Sequence, residues 1–479
     1  KGRACLERAE VVIYDYLCNP ALLKWAPDAA ERMYVGKRAG AHSLSQDEIN
    51  SMLVEKTRSG KIVVRLKGGD PFLFGRGGEE AEALADAKCA FEVVPGVTSA
   101  IAGPAYAGIP VTHRAHNSVL TIFTGHEEPG KPNSSLDYQA IARAPGTKVM
   151  LMGVERLNAI AGELRTAGMP SQTPVTLVRW ATTGAQQTLS GTLENIDHRA
   201  REAGFKPPAV AVFGEVAALR DKLNWFESLS LFGKRIAVTR TRKQAGEFVE
   251  RLRALGADAF ELPTIRIEPP RNKREFYELV ADSHIYDWII FTSPNGADAF
   301  FKAFFEIYRD ARDIGCARIA AIGPATAERV RSYHLQVDVQ PEKYVAEAII
   351  ESLQRETSLE NLKILLARAE GAREVLAKEL TRLGAIVDEA VAYRTVPETN
   401  DVTGGIQRFR EDGADMITFT SSSTVENFLA LKLPMPEGIR TASIGPITSK
   451  TMRALGLTVD VEAKQHDIPG LVETIRKYW

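Results

Sequence analysis

A chain of 479 residues is long for one hydrophobic core, so two or three domains of ordinary size are expected. Its 60 Lys and Arg nearly cancel its 61 Asp and Glu, and no basic block occurs, which excludes the electrostatic footprint of a nucleic-acid binder. Cys5, Cys18, Cys89 and Cys316 lie far apart with no C-x-x-C, excluding a zinc or disulfide framework by spacing and suiting reduced thiols.

No apolar run reaches membrane-spanning length, and the opening KGRACLERAEVVIYDYL carries charges where a signal peptide is apolar. A soluble, cytoplasmic protein without a structural metal is expected. The sequence does not begin with Met, so it is expected to start partway through the native chain.

In chain order, β-rich runs alternate with helical patterns: VVIYDYL, IVVRLKG, SVLTIFTG, KVMLMG and AVAVFGEV, then RIAVTR, DWIIFTS, RIAAIG, KILLAR and DMITFTS. This alternation predicts an α/β protein with parallel or mostly parallel sheets, whose working loops follow the carboxyl ends of strands. A boundary is expected in LRDKLNWFESLSLFGK, Leu219 to Lys234.

Beyond it the sequence repeats. GKRIAVTRTRKQAGEFVERLRALGADAFELP parallels NLKILLARAEGAREVLAKELTRLGAIVDEAV, DWIIFTSPNGADAFF parallels DMITFTSSSTVENFL, and RIAAIGPATAERV parallels RTASIGPITSKTM. Two such copies predict two similar α/β lobes with a cleft between them.

In the first half, VVRLKGGDPFLFGRGGEEAE fits neither a dinucleotide fingerprint nor a Walker loop. Gly68 and Gly69 allow close backbone approach to a ligand, and Asp70 adds an acceptor suited to hydroxyl or ammonium groups. Equally, Asp70 could cap the following helix, with Glu79 and Glu80 in its first turn. His113 and His116 in THRAH have helical spacing for a metal but no further ligands, which favours pocket or core roles.

VGKRAGAHSLSQDEIN, VVRLKGGDPFLFGRGGEEAEAL, FEVVPGVTSAIAGPAYAGIPVTHR and TGHE resemble, in order and spacing, the uroporphyrinogen-III C-methyltransferases of the tetrapyrrole methylase family, over residues 1–226. The resemblance implies two α/β subdomains and transfer of two methyl groups from S-adenosyl-L-methionine to uroporphyrinogen III. The products are precorrin-2, a precursor of siroheme, cobalamin or another tetrapyrrole, and S-adenosyl-L-homocysteine. It also implies a homodimer.

Carried over by position, Gly68, Gly69, Asp70, Leu73, Thr98, Ser99, Met152 and Ala181 bind the donor; Ala181 stands where some members have glycine. Asp15 is the implied proton acceptor and Lys37 the proton donor, roles that suit a methylated, cationic ring that must lose a proton. Lys37, Arg38, Arg76 and Arg114 could equally hold substrate carboxylates, with Arg114 favoured for this. Members begin with a strand and a G-x-G-P-G-D-P loop, and this sequence starts after them.

The second half offers hydroxyl-rich loops, Thr292, Ser293 and Asn295 in one copy and Thr420 to Thr424, including Ser421 and Ser422, in the other. Each copy also has an I-G-P-x-T turn containing Thr326 or Thr448. Helix N-termini there would receive a polyanion, although each hydroxyl could merely cap a helix. Residues 231–479 resemble uroporphyrinogen-III synthase, which implies cofactor-free cyclisation of hydroxymethylbilane with inversion of the last ring. Tyr393 in VAYRT matches a tyrosine implicated in that family and could assist water loss; a core tyrosine at a hinge is the competing reading.

The expected organisation is therefore a methyltransferase domain over 1–226, a linker over 227–231 and a synthase domain over 232–479. Its first lobe takes 232–267 and 396–479, and its second 268–395. The alternative is a related methylase carrying a non-catalytic, two-lobed anion-binding module.

Overall fold

The computed structural model describes all residues except 37–43, 127–135, 240–241, 263, 343–345, 373, 399–400 and 402–403, and the side chains of 242–245 and 346 also lie outside the description. Two compact units are present: Lys1–Pro263 with Asn400–Trp479, and Thr264–Thr399.

The first unit opens with a parallel three-stranded sheet made of β1 (Val11–Tyr14), β2 (Glu31–Tyr34) and β3 (Val63–Leu66), in the order β2-β1-β3. Val11, Val12 and Ile13 are fully buried, as a central strand covered on both faces requires. Alternation sends Val11 and Ile13 to one face, with Ile49 and Leu53, and Val12 to the other, with Leu6 and Leu23. The helix Gln46–Arg58 that leads to β3 starts in a capping box between Ser45 and Glu48 and ends on Lys56 and Arg58, matching its dipole at both ends.

Next come β4 (Leu120–Thr124), β5 (Thr147–Leu151), β6 (Pro174–Arg179), β7 (Gln187–Thr192) and β8 (Ala209–Phe213), in the order β4-β5-β8-β6-β7. Only β4 and β5 pair in parallel; β8 is inserted antiparallel between β5 and β6, and β7 returns antiparallel to β6. The expectation of mostly parallel sheets fails here. A buried apolar run such as AVAVF has the same pattern whichever way its strand points, so direction is not encoded in it.

In the duplicated half, β9 (Arg235–Thr239) and β10 (Asp258–Glu261) precede β11 (Ile265–Glu268), β12 (Trp288–Phe291), β13 (Arg318–Ala321), β14 (Lys363–Ala369) and β15 (Ile386–Pro397). The last three strands are β16 (Met416–Phe419), β17 (Arg440–Ser443) and β18 (Val461–Glu462). One sheet runs β10-β9-β16-β17-β18 and the other β11-β15-β14-β12-β13. Under the sequence repeat, β10, β9, β16 and β17 correspond to β15, β14, β12 and β13, so both copies have the same strand order. Ile265–Ile267, expected in the first lobe, instead pair antiparallel with β15 in the second unit.

The segment expected as a linker is packed. Phe226 and Leu231 are buried, and the Glu227 carboxylate accepts from Thr188 Oγ1 at 2.5 Å and Gln186 Nε2 at 2.8 Å while pairing with Arg220. Burial alone would raise this carboxyl, but Thr188, Gln186 and Arg220 outweigh it and hold it below its usual value. A carboxylate depressed in the fold stabilises above its unfolded pKa of about 4.3 and loses that contribution as pH falls through the lower folded value. Glu227→Gln is expected to destabilise by about 2 kcal/mol at pH 7. The difference from wild type should shrink as pH falls below about 4.3 and vanish only below the lower folded value, read from paired urea titrations.

Candidate functional site

The ends of β1, β3, β5 and β6 run into the residues expected around a donor. After β3, the chain turns at Gly69, whose φ of +73° lies in the left-handed region open to glycine. A side chain on Gly68 would stand 2.8 Å from the Leu17 carbonyl oxygen, and one on Gly69 would stand 3.7 Å from Ser99 N. The glycines are therefore threaded between the loop that follows β1 and the loop that carries Thr98 and Ser99.

Asp70 ties these loops together. Its carboxylate accepts the Phe72 N–H at 2.9 Å and the Gly96 N–H at 3.0 Å. A Cβ on Gly96 would run into the Gly69 carbonyl oxygen, so the second loop can lie this close only as glycine. Asp70 does not cap the following helix, Gly77–Asp86, which opens instead from Arg76. Asp70 therefore acts as a loop clamp, with one N–H on each carboxylate oxygen.

Thr98 caps the helix Ser99–Tyr106 through the Ala100 N–H. Ala181 packs against Gly103 of the same helix, and Leu73 packs into the apolar cluster containing Ala100 and Leu151. Met152 stands exposed at the end of β5. Across the top, the Tyr16 ring meets the Trp180 ring edge-on at 6.0 Å, joining the end of β1 to the end of β6.

Asp15 sits directly after β1. One carboxylate oxygen accepts the Leu17 N–H at 3.0 Å and the Cys18 thiol at 3.6 Å, and the other pairs with Arg65 at 2.9 Å. Burial, and then the nearby Asp15 charge, push the Cys18 thiol up to about 12, so it is a neutral donor at pH 7. Arg65, 12% exposed, also reaches Glu80 at 3.1 Å, and Lys67 reaches Glu80 at 2.8 Å. This buried four-charge network escaped the sequence reading. Its trace is the pair of basic residues at alternate positions of VVRLK, which β3 directs to one face. Glu80 does stand in a first helical turn, but its carboxylate is committed to the network.

Other expected contacts fall elsewhere. Lys37 and Arg38 lie outside the described residues. Arg76 is exposed and pairs with Glu79 at 2.7 Å. Arg114 belongs to the turn His113–Asn117, which Asn117 fastens to Thr147 at the start of β5, while Met152 follows the end of that strand. Arg114 is thus placed at the Thr147 end of β5. The His113 and His116 rings meet at a tilt of 50° with centroids 4.9 Å apart, and His116 meets Glu215. Among the described residues no cluster of three or more His, Cys, Asp or Glu could hold a metal, and no helix is long and apolar enough to cross a membrane.

In the second unit, Thr292 donates to the Ala367 carbonyl at 3.2 Å, and Ser293 caps the helix Pro294–Ile307. The Tyr393 hydroxyl lies 3.0 Å from Ser293 Oγ, so two residues singled out separately from the sequence meet. In the first unit, Ser421 caps the helix Ser422–Ala430, and Ser422 Oγ lies 2.6 Å from Thr451 Oγ1. Thr326 and Thr448, expected as substrate contacts, are only 3% and 4% exposed; their helical turns carry them into the core.

A family model described as Tetrapyrrole (Corrin/Porphyrin) Methylases matches residues 1–197, and one described as Uroporphyrinogen-III synthase HemD matches residues 246–473. A porphyrin biosynthesis protein HemD of Ruminiclostridium josui is 35% identical over 477 residues, covering 99% of this chain and 94% of the relative. An S-adenosyl-L-methionine-dependent uroporphyrinogen III methyltransferase of Methanosarcina barkeri is 51% identical over 223 residues, covering 47% of this chain and 88% of its own. A solved uroporphyrin-III C-methyl transferase of Thermus thermophilus, complexed with S-adenosyl homocysteine, is 37% identical with a TM-score of 0.39, covering 45% of this chain and 90% of that one.

The chain belongs to both families, a tetrapyrrole methylase fused to a uroporphyrinogen-III synthase.

The methylase half fits its S-adenosylmethionine donor on its own geometry. Gly68 and Gly69 are exposed and present bare backbone at the carboxyl end of β3, where a side chain would close the approach. In the synthase half the loop hydroxyls are engaged within their own units, Thr292 with Ala367, Ser293 with Tyr393 and Ser422 with Thr451.

Proposed function

We propose that this fusion cyclises hydroxymethylbilane to uroporphyrinogen III in its second half and methylates that product twice, to precorrin-2, in its first. The observation that carries the reading is the clamp of Asp70 on Gly96, which holds two glycine-bearing loops beside Asp15. Residues 1–226 form the methyltransferase part, 227–231 the connection and 232–479 the synthase part.

S-adenosylmethionine supplies, when bound, a methyl group on a sulfonium sulfur. Gly68, Gly69, Thr98, Ser99, Met152 and Ala181 would hold it, with Leu73 and Asp70 fixing the loops behind. Methyl transfer to a pyrrole carbon leaves the ring cationic, and Asp15, oriented by Arg65 and the Leu17 N–H, takes the proton the ring must lose. Asp15→Asn is expected to lower methylation about 100-fold while S-adenosylhomocysteine still binds. Unchanged turnover would remove Asp15 from this role.

The synthase step needs no cofactor, because the substrate sheds its hydroxyl readily and the enzyme's task is to favour the inverted closure. Tyr393, half a hydrogen-bonded pair with Ser293, is placed to assist that loss of water. The protein acts on small tetrapyrroles in the cytoplasm as a homodimer, and the exposed Leu17, Phe72 and Val97 around the methylase loops support self-association. A sedimentation mass of one chain would remove the dimer from the reading.

A further inference from the structure

Tyr393 is 8% exposed, and its hydroxyl is held from one side by the loop that opens the helix Pro294–Ile307. Ser293 Oγ already accepts the Gly296 N–H at 3.0 Å as the helix cap. A serine hydroxyl has two lone pairs and one proton, so with one lone pair used it still has its proton to donate, or its second lone pair to accept with, at the phenol oxygen 3.0 Å away. Asn295 also bonds to Tyr393 and favours the phenolate. When Ser293 and Asn295 both donate to the phenol oxygen, the phenol's own proton points away from the loop. Among the described residues no other acceptor for it is found.

We propose that Ser293 and Asn295 are positioning residues that turn the Tyr393 proton toward the departing hydroxyl of hydroxymethylbilane, rather than substrate contacts themselves. The inference rests on the synthase reading of this half. In the step, the terminal C–O bond breaks with its electron pair on oxygen, and Tyr393 gives that oxygen its proton. Water leaves, and the pyrrole nitrogen stabilises the cation at the methylene carbon. Ser293 and Asn295 hold the phenolate until ring closure forms the new C–C bond and releases a pyrrole proton, which restores Tyr393. Burial pushes the phenol up from its ordinary value, and the bonds to Ser293 and Asn295 oppose that rise in part.

The test uses the full chain with Ser293→Ala, Ser293→Asp, Ser293→Thr, Tyr393→Phe and the double variant Ser293→Ala/Tyr393→Phe. Turnover of hydroxymethylbilane and the fraction of isomer III are measured for each, with thermal unfolding alongside. Ser293→Ala and Tyr393→Phe should each lower kcat about tenfold or more with KM nearly unchanged. The double variant should be no slower than Tyr393→Phe, because Ser293 acts through that hydroxyl. Ser293→Asp still caps the helix but has no proton to donate, so it should keep its Tm and lose kcat; Ser293→Thr should keep both.

Multiplicative losses in the double variant, or a raised KM at unchanged kcat in Ser293→Ala, would overturn the inference alone. A wild-type chain that gives only isomer I would overturn the synthase reading and the inference with it.

Discussion

Gly96→Ala should cost the methylase its donor while leaving the synthase untouched. The added methyl must occupy the place of the Gly69 carbonyl oxygen, so the two loops have to part. Overpacking of this kind costs about 1–3 kcal/mol, and parting the loops also breaks the bond from Gly96 N–H to the charged Asp70 carboxylate, worth about 1.5–3 kcal/mol. If roughly half of that total falls on the bound state, S-adenosylhomocysteine affinity drops about 10- to 150-fold. Calorimetric titration of the variant measures it, with isomer III formation from hydroxymethylbilane as the internal control. Binding equal to wild type would mean that the clamped loops are not the donor's cradle.

The second large effect is expected from the charges beneath Asp15. Arg65 and Lys67 balance Asp15 and Glu80, and Arg65 and Glu80 are 12% and 7% exposed. Arg65→Met leaves one negative charge unbalanced and Glu80→Gln leaves one positive; breaking such a buried pair from one side costs about 3–5 kcal/mol. The double variant leaves Asp15 against Lys67 and is neutral again. It should therefore lose far less stability than the sum of the two single variants. Urea unfolding of all three gives the coupling. Additive losses would show that the four groups do not act as one network.

Much of this architecture is legible in the sequence. The β-rich runs VVIYDYL, KVMLMG and DWIIFTS become strands because their apolar residues fill sheets covered on both faces. The internal repeat also survives into three dimensions as two sheets of like strand order, although β11 crosses to a sheet that the repeat does not assign to it.

The candidate site is only partly legible. Motif spacing places Gly68 to Asp70 and Thr98 to Ser99 in separate loops, and only the fold shows one Asp70 carboxylate oxygen joining them while the other holds its own loop. Arg114 is a basic residue in a long motif, and only the fold shows that its turn is fastened to the start of β5 through Asn117 and Thr147. Thr326 and Thr448 looked available because hydroxyls open helices, and their burial follows from which side of the first turn faces the sheet. Charge balance around Arg65 depends on contacts between residues 15, 65, 67 and 80, which no local window contains.

The most direct measurement is product analysis of the intact protein supplied with hydroxymethylbilane, with and without S-adenosylmethionine. Uroporphyrinogen III alone in the absence of the donor, and dimethylated precorrin-2 with two S-adenosylhomocysteine released in its presence, are the expected results. Isomer I in both reactions, with no methyl transferred, would contradict the assignment of both halves.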